Sequence, residues 1–290
     1  MYPRIIHRVF HSYWAIQPGM LDTILTLLHT RLAGISAVRA EEDLEPGLVE
    51  EEEMASEEIV QKTVILFAKG IVGKHLSALD MMCGGLSLDA LSRRLEEAAA
   101  DETVREIVLW LDTPGGVVTG TPETAALIRR IRAQGKTVVG YCDSLCASAG
   151  YWIMGACDGI YCTRSAMLGS IGVYSALYDY QGWMEKNGYK LELFKAGDYK
   201  AMGLPGTELT KQQRKLLQDE VDAIYGEFTS AVTGDRGEVT DFHEAVKIGK
   251  ETMQGQTFRG HAAVAAGLAD VVVDGLEDVL ADLRANRMTA

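Results

Sequence analysis

Asp143-Ser144-Leu145-Cys146-Ala147-Ser148-Ala149-Gly150-Tyr151 directly follows an apolar run at 137–141 and opens a short helical stretch at 149–156. A buried strand that turns into a helix through small residues is the repeating unit of parallel α/β sheets. The same pattern extends in both directions. Upstream, the sequence predicts strands at 63–67 and 107–111 and helices at 88–100 and 124–133, with Leu88, Leu91, Leu95 and Ala98 on one helical face. Downstream it predicts a strand at 159–162, a strand running into a turn at 191–197, a long helix at 210–232 with Thr210 as N-cap, a helix near 261–266 and an apolar run at 269–273. Strands and helices alternate at the spacing of a parallel sheet.

The chain has 290 residues, of which 47% are hydrophobic, enough for a full core. Residues 1–40 read as an amphipathic helical arm and residues 41–61 as an acidic linker, because Glu50-Glu51-Glu52-Glu53 and its neighbours repel one another. A main domain is expected over 62–275, with a tail at 276–290. A net charge of −13 argues against nucleic acid as a partner. The stretch at 24–32 is interrupted by Thr26, His29, Thr30 and Arg31, so neither a signal peptide nor a membrane span is expected, and the cytoplasm is the expected location. Five cysteines without a Cys-x-x-Cys pair read as reduced core residues, and no metal or cofactor site is expected.

Three stretches have residue types suited to acyl transfer. In Asp112-Thr113-Pro114-Gly115-Gly116, two glycines after a proline free backbone N–H groups to receive a developing oxyanion, although the segment also reads as a plain strand-to-helix turn. Ser148 at a helix N-terminus gains the unpaired N–H groups and dipole that favour an alkoxide, but it also reads as a simple N-cap, a role open to Ser144 too. Between His75 and His243 there is no histidine. An amine base is the alternative: Lys200, in Ala196-Gly197-Asp198-Tyr199-Lys200-Ala201, is followed by Met202, Leu204 and Pro205, and desolvation by such neighbours would favour its neutral form. A solvated surface lysine is the plain reading. Ser170, in Leu168-Gly169-Ser170-Ile171-Gly172-Val173, offers a hydroxyl that could orient the amine, or is simply the polar cap of a tight turn.

The order Pro114-Gly115-Gly116, Ala147-Ser148-Ala149-Gly150-Tyr151, Gly169-Ser170-Ile171-Gly172-Val173 and Ala196-Gly197-Asp198-Tyr199-Lys200 resembles the signal peptide peptidase A family of serine peptidases over about residues 62–273, including Ala265-Ala266-Gly267-Leu268-Ala269-Asp270. The resemblance implies a ClpP/crotonase-like α/β fold with parallel sheets and flanking helices. It also implies a Ser-Lys dyad acting through an acyl-enzyme: Ser148 as nucleophile, Lys200 as general base and acid, Ser170 orienting the lysine, and an oxyanion hole from Gly115 or Gly116 with Ala149. It further implies ring-like homo-oligomers in which Lys200 can serve the serine of another subunit. Arg8-Val9-Phe10 and Trp14-Ala15-Ile16-Gln17-Pro18 resemble the opening of phage head-maturation proteases, so scaffold, portal or capsid proteins are the expected substrates. A cytoplasmic leader-peptide peptidase, a crotonase-type acyl-CoA enzyme and a catalytically dead assembly factor are the alternatives.

Overall fold

The structure, a computed structural model, describes residues 14–16, 51–54, 61–238, 240–242 and 247–289. The expected arm and acidic linker therefore lie outside the described residues, apart from two short strands. These are Trp14–Ile16 (β1) and Glu51–Met54 (β2). Each corrects the sequence reading locally, because an open sheet edge offers unpaired backbone groups that outweigh a weak local preference or glutamate repulsion. The register of β2 sets Glu53 opposite Lys62.

The main sheet contains β2, β3 (Gln61–Lys69), β6 (Val104–Asp112), β8 (Thr137–Cys142), β10 (Gly159–Thr163) and β13 (Val271–Val273), in the order β13-β10-β8-β6-β3-β2. All its pairings are parallel except β2 with β3. Buried on both faces, β6 and β8 read as nearly continuous apolar runs. Helices α1 (Ala78–Met82), α2 (Leu88–Ala100), α3 (Thr121–Ala133) and α4 (Ala149–Met154) connect the upstream strands. Helix α2 buries Leu88, Leu91, Leu95 and Ala98, the face its sequence predicts, and the Ser87 hydroxyl caps it by accepting from the Ala90 N–H. The opposite sheet face is closed by α8 (Leu276–Thr289), whose Val279, Leu280 and Leu283 pack with Val108, Val139, Tyr141 and Tyr161. The expected tail is thus part of the core, and its apolar residues at helical spacing account for this.

Two smaller sheets sit at the ends of the main strands. One has the order β1-β7-β4-β5, with β4 at Ile71–Gly73, β5 at Gly85–Ser87 and β7 at Gly115–Val117. The other has the order β12-β11-β9, with β9 at Leu145–Ala147, β11 at Met167–Gly169 and β12 at Thr257–Arg259. Helix α7 (Gly260–Ala265) follows β12. Buried Arg236 joins the late segments to the core, donating to the Gly267 carbonyl and pairing with Asp270.

Residues 174–210 depart from the expected compactness. They include α5 (Gln181–Lys186), but the strand predicted within 191–197 does not form, and that stretch is exposed irregular chain ending in a bend. Trp183, Tyr189 and Phe194 are turned outward, Phe194 to 92% exposure. Helix α6 (Lys211–Gly237) starts from the predicted N-cap Thr210, in a capping box where Thr210 and Gln213 satisfy each other's backbone N–H groups. Its apolar residues are buried only in its later part: Phe228 and Val232 are in the core, whereas Leu216 is 44% exposed.

Candidate active site

The site begins where β6 ends. The Thr113 N–H donates to the Leu145 carbonyl at 2.7 Å, and the Thr113 carbonyl accepts from the Ala147 N–H at 3.0 Å. Thr113 is thereby held on both sides to β9, one residue short of Ser148. Its hydroxyl oxygen also accepts from the Gly115 N–H at 3.1 Å. Gly115 has φ +96°, a conformation glycine adopts at no steric cost. Gly116 is confined from the other side, since a Cβ there would lie 2.1 Å from the Val72 carbonyl oxygen. Sequence reading gave Thr113 no role. Its hydroxyl between a strand end and a glycine pair was the available signal.

Ser148 stands at the N-cap position of α4, yet its side chain makes no capping hydrogen bond, so the plain N-cap reading fails. Its backbone lies at φ 55°, ψ −118°, a region that costs a residue with a Cβ roughly 1–3 kcal/mol. Two backbone bonds hold it there: its N–H donates to the Gly169 carbonyl at 2.7 Å, and its carbonyl accepts from the Trp152 N–H at 2.9 Å. The hydroxyl turns instead toward the Gly172 carbonyl at 3.5 Å. Ala149, the first residue of α4, has an N–H without an intrahelical acceptor, as helix geometry requires.

The β9–β11 register sets Ala147 opposite Gly169, which brings the Ser170 segment beside Ser148. Ser170 is buried, lies at φ 53° and donates its N–H to the Gln256 carbonyl at 2.7 Å. Ser148, Gly115, Gly116, Ala149 and Ser170 thus come together within one chain. Lys200 does not join them. It is exposed, and no hydrogen bond among the described residues links it to Ser148 or Ser170. The expectation of a lysine desolvated by Met202, Leu204 and Pro205 is therefore not met within a single chain, because the apolar side chains of this segment point outward instead of covering it. Its turn is nonetheless built: Ala201 has φ 61°, the Lys200 N–H donates to the Gly197 carbonyl at 3.2 Å, and the buried Gln213 amide donates to the Asp198 carbonyl at 2.7 Å. Sequence reading also missed Gln213.

Cys146, two residues before Ser148, is a possible competing nucleophile. Burial pushes its thiol well above the ordinary thiol range, so it stays protonated and weakly nucleophilic. Cys142, Cys157 and Cys162 are likewise buried free thiols, whereas Cys83 is exposed, which corrects the reading of all five as core residues. No helix of the described residues is long and apolar enough to cross a membrane.

Capsid assembly protease C of Escherichia phage lambda is 30% identical over 224 residues, covering 77% of this chain and 49% of that protein. Head-tail preconnector protein GP5 of Enterobacteria phage P21 is 28% identical over 221 residues, covering 76% of this chain and 42% of that protein. Protease 4 of Salmonella typhi is 25% identical over 191 residues, covering 66% and 30%. The chain thus spans half or less of the length of these relatives. Among solved structures, a mutant ClpP1 from Listeria monocytogenes aligns with a TM-score of 0.46 at 12% identity, covering 73% of this chain and 92% of that one. The profile of Peptidase family S49 matches residues 130–288, a stretch that holds Ser148, Ser170 and Lys200, and the chain belongs to this serine peptidase family.

Proposed function

We propose that the chain is a serine endopeptidase that works through an acyl-Ser148 intermediate, with Lys200 as its base, on the structural proteins of an assembling phage head. The observation that carries this reading is Ser148 itself: a strained residue at a helix N-terminus whose hydroxyl caps nothing. Strain of this kind persists where the surrounding structure imposes it and tends to mark functional positions. Among the described residues, positive φ outside glycine occurs at His75, Ser148, Ser170 and Ala201, and three of these four belong to the serine and lysine motifs.

In the reaction, the Ser148 oxygen attacks the scissile carbonyl carbon as its proton passes to the Lys200 amine. The carbonyl oxygen becomes an oxyanion received by the Ala149 N–H and the Gly116 N–H, because the Gly115 N–H is already held by the Thr113 hydroxyl. Collapse expels the amine product, which takes the proton, and water then releases the acyl group by the same route. Ser170 orients the lysine.

Lys200 is exposed and held on a formed turn among outward-facing Trp183, Tyr189 and Phe194. These features support a homo-oligomer in which the 174–210 segment packs on a second copy and delivers Lys200 to that copy's Ser148. The phage relative named as a capsid assembly protease supports scaffold, portal or capsid proteins as substrates. Family membership disfavours the acyl-CoA alternative, which would leave Ser148 and Lys200 unused. A fluorophosphonate probe should label Ser148 in the wild type and label nothing in Ser148→Ala. Mass spectrometry of co-expressed head proteins should show cleavage products that this variant lacks. An unlabelled wild-type protein with intact head proteins would refute the reading.

A further inference from the structure

Strand β7 carries both candidate oxyanion glycines, and its two edges differ. One pairs in parallel with β4, through Val72 and Gly116. The other pairs antiparallel with the chain's own β1, in the register Trp14 with Val117, Ala15 with Gly116 and Ile16 with Gly115. The polarity of this second pairing has chemical meaning. From Trp14 to Ile16 the backbone runs from Val117 toward Gly115, the end of β7 joined through Thr113 to the strand that precedes Ser148. A polypeptide in this orientation brings its C-terminal end toward the oxyanion turn and keeps its N-terminal side paired along the strand, as an acyl donor must. Such pairing relies on backbone groups, so it accepts many side chains. Ser148 itself is 1% exposed.

We infer that the outer edge of β7 is the acyl-side subsite for an extended polypeptide and that residues 14–16 of the same chain occupy it, so that the chain blocks its own site until this strand is displaced. The inference rests on the peptidase reading for the identity of the site, but strand occupancy is measurable without catalysis. Three residues bury little surface and give up few hydrogen bonds, so a longer substrate strand competes with them effectively.

The test uses the full chain carrying Ser148→Ala, with and without the combined substitutions Trp14→Pro, Ala15→Pro and Ile16→Pro, which remove every amide donor of β1. A fluorescein-labelled peptide with the sequence of residues 11–18 is titrated and followed by anisotropy. Binding at least tenfold tighter to the proline protein is expected. Equal affinity for the two proteins, or binding to neither, overturns the inference. Hydrogen exchange on the protein without the proline substitutions guards against misfolding of that variant: slow exchange across Gly115–Val117 that the peptide does not alter is expected, and fast exchange there overturns the inference. With Ser148 restored, a fluorophosphonate should label the proline protein at least fivefold faster than the wild type. If neither is labelled while the difference in peptide affinity holds, the peptidase reading fails and the strand assignment stands.

Discussion

Gly150 and Thr113 meet so closely that a Cβ on Gly150 would lie 2.2 Å from the Thr113 methyl carbon. The first turn of the helix that Ser148 opens and the turn that bears the candidate oxyanion donors are therefore in direct contact. Either the helix or the turn must move if this glycine gains a side chain. Gly150→Ala should cost about 1–3 kcal/mol of stability in urea unfolding, as overpacking does in a dense core. It should also lower kcat/KM by about tenfold or more, since misplacement of catalytic groups by about an ångström has effects up to that order and beyond. Unchanged kinetics would show that this contact does not position the site.

The Thr113 hydroxyl holds the Gly115 N–H, and that bond can be removed without changing the residue's shape. Thr113→Val should leave a buried donor unpaired at a cost of about 1–3 kcal/mol, and Thr113→Ser should retain most of the stability. Denaturation of the three proteins side by side checks this. Equal midpoints for valine and threonine would remove Thr113 from its anchoring role.

Buried acids give the folded protein a defined response to alkali. Burial raises the thiols of Cys142, Cys146 and Cys157, lifts Cys162 to about 11, raises the Tyr151 and Tyr161 phenols and lifts Tyr141 to about 12. In the unfolded chain these groups lose protons at their ordinary values of 9.0 for thiol and 10.0 for phenol. A pKa raised on folding means that the unfolded state sheds protons first, so stability is complete below that range and is lost as pH rises through it. The melting temperature should be flat up to about pH 8 and fall steadily above pH 9. A melting temperature that rises between pH 9 and 10 would contradict these burials. Iodoacetamide at neutral pH should modify Cys83 and spare the four buried thiols.

Gln213 links the lysine turn to α6 by its bond to the Asp198 carbonyl while its amide oxygen caps the helix. Under the proposed function it is a positioning residue for Lys200. Gln213→Ala should lower kcat by about tenfold through a loosened turn while leaving KM for a short peptide near the wild-type value. Gln213→Glu, which keeps the cap acceptor but not the amide donor, should behave similarly in kcat. If kcat is preserved in both, the turn does not depend on this bond.

Much of the fold was legible because its signals are local. The stripe of Leu88, Leu91, Leu95 and Ala98 reports a buried face, and Thr210 reports a helix start. The Ser148 motif was legible as a candidate because small residues after a buried strand allow a sharp turn. What could not be read depends on partners distant in the chain. Glu51–Met54 becomes a strand only because β3 presents an edge, and Thr113 gains its role only where β9 lies beside it. Met202, Leu204 and Pro205 read as cover for Lys200. Apolar residues signal a need for burial but do not say whether the covering surface belongs to the same chain, and in the single chain Leu204, like Leu191 and Leu193, remains exposed.

The central claim is that Ser148 and Lys200 act together although they come from different copies, and mixing two inactive proteins tests it. Ser148→Ala and Lys200→Ala should each be inactive on a peptide substrate. In a head-to-tail ring formed after equimolar co-refolding, random mixing leaves about one site in four with both an intact serine and a neighbour's intact lysine. Recovery of about a quarter of wild-type activity is the predicted result. Two inactive variants that stay inactive when mixed in assembled oligomers would contradict the shared site, and full activity of either variant alone would contradict the dyad.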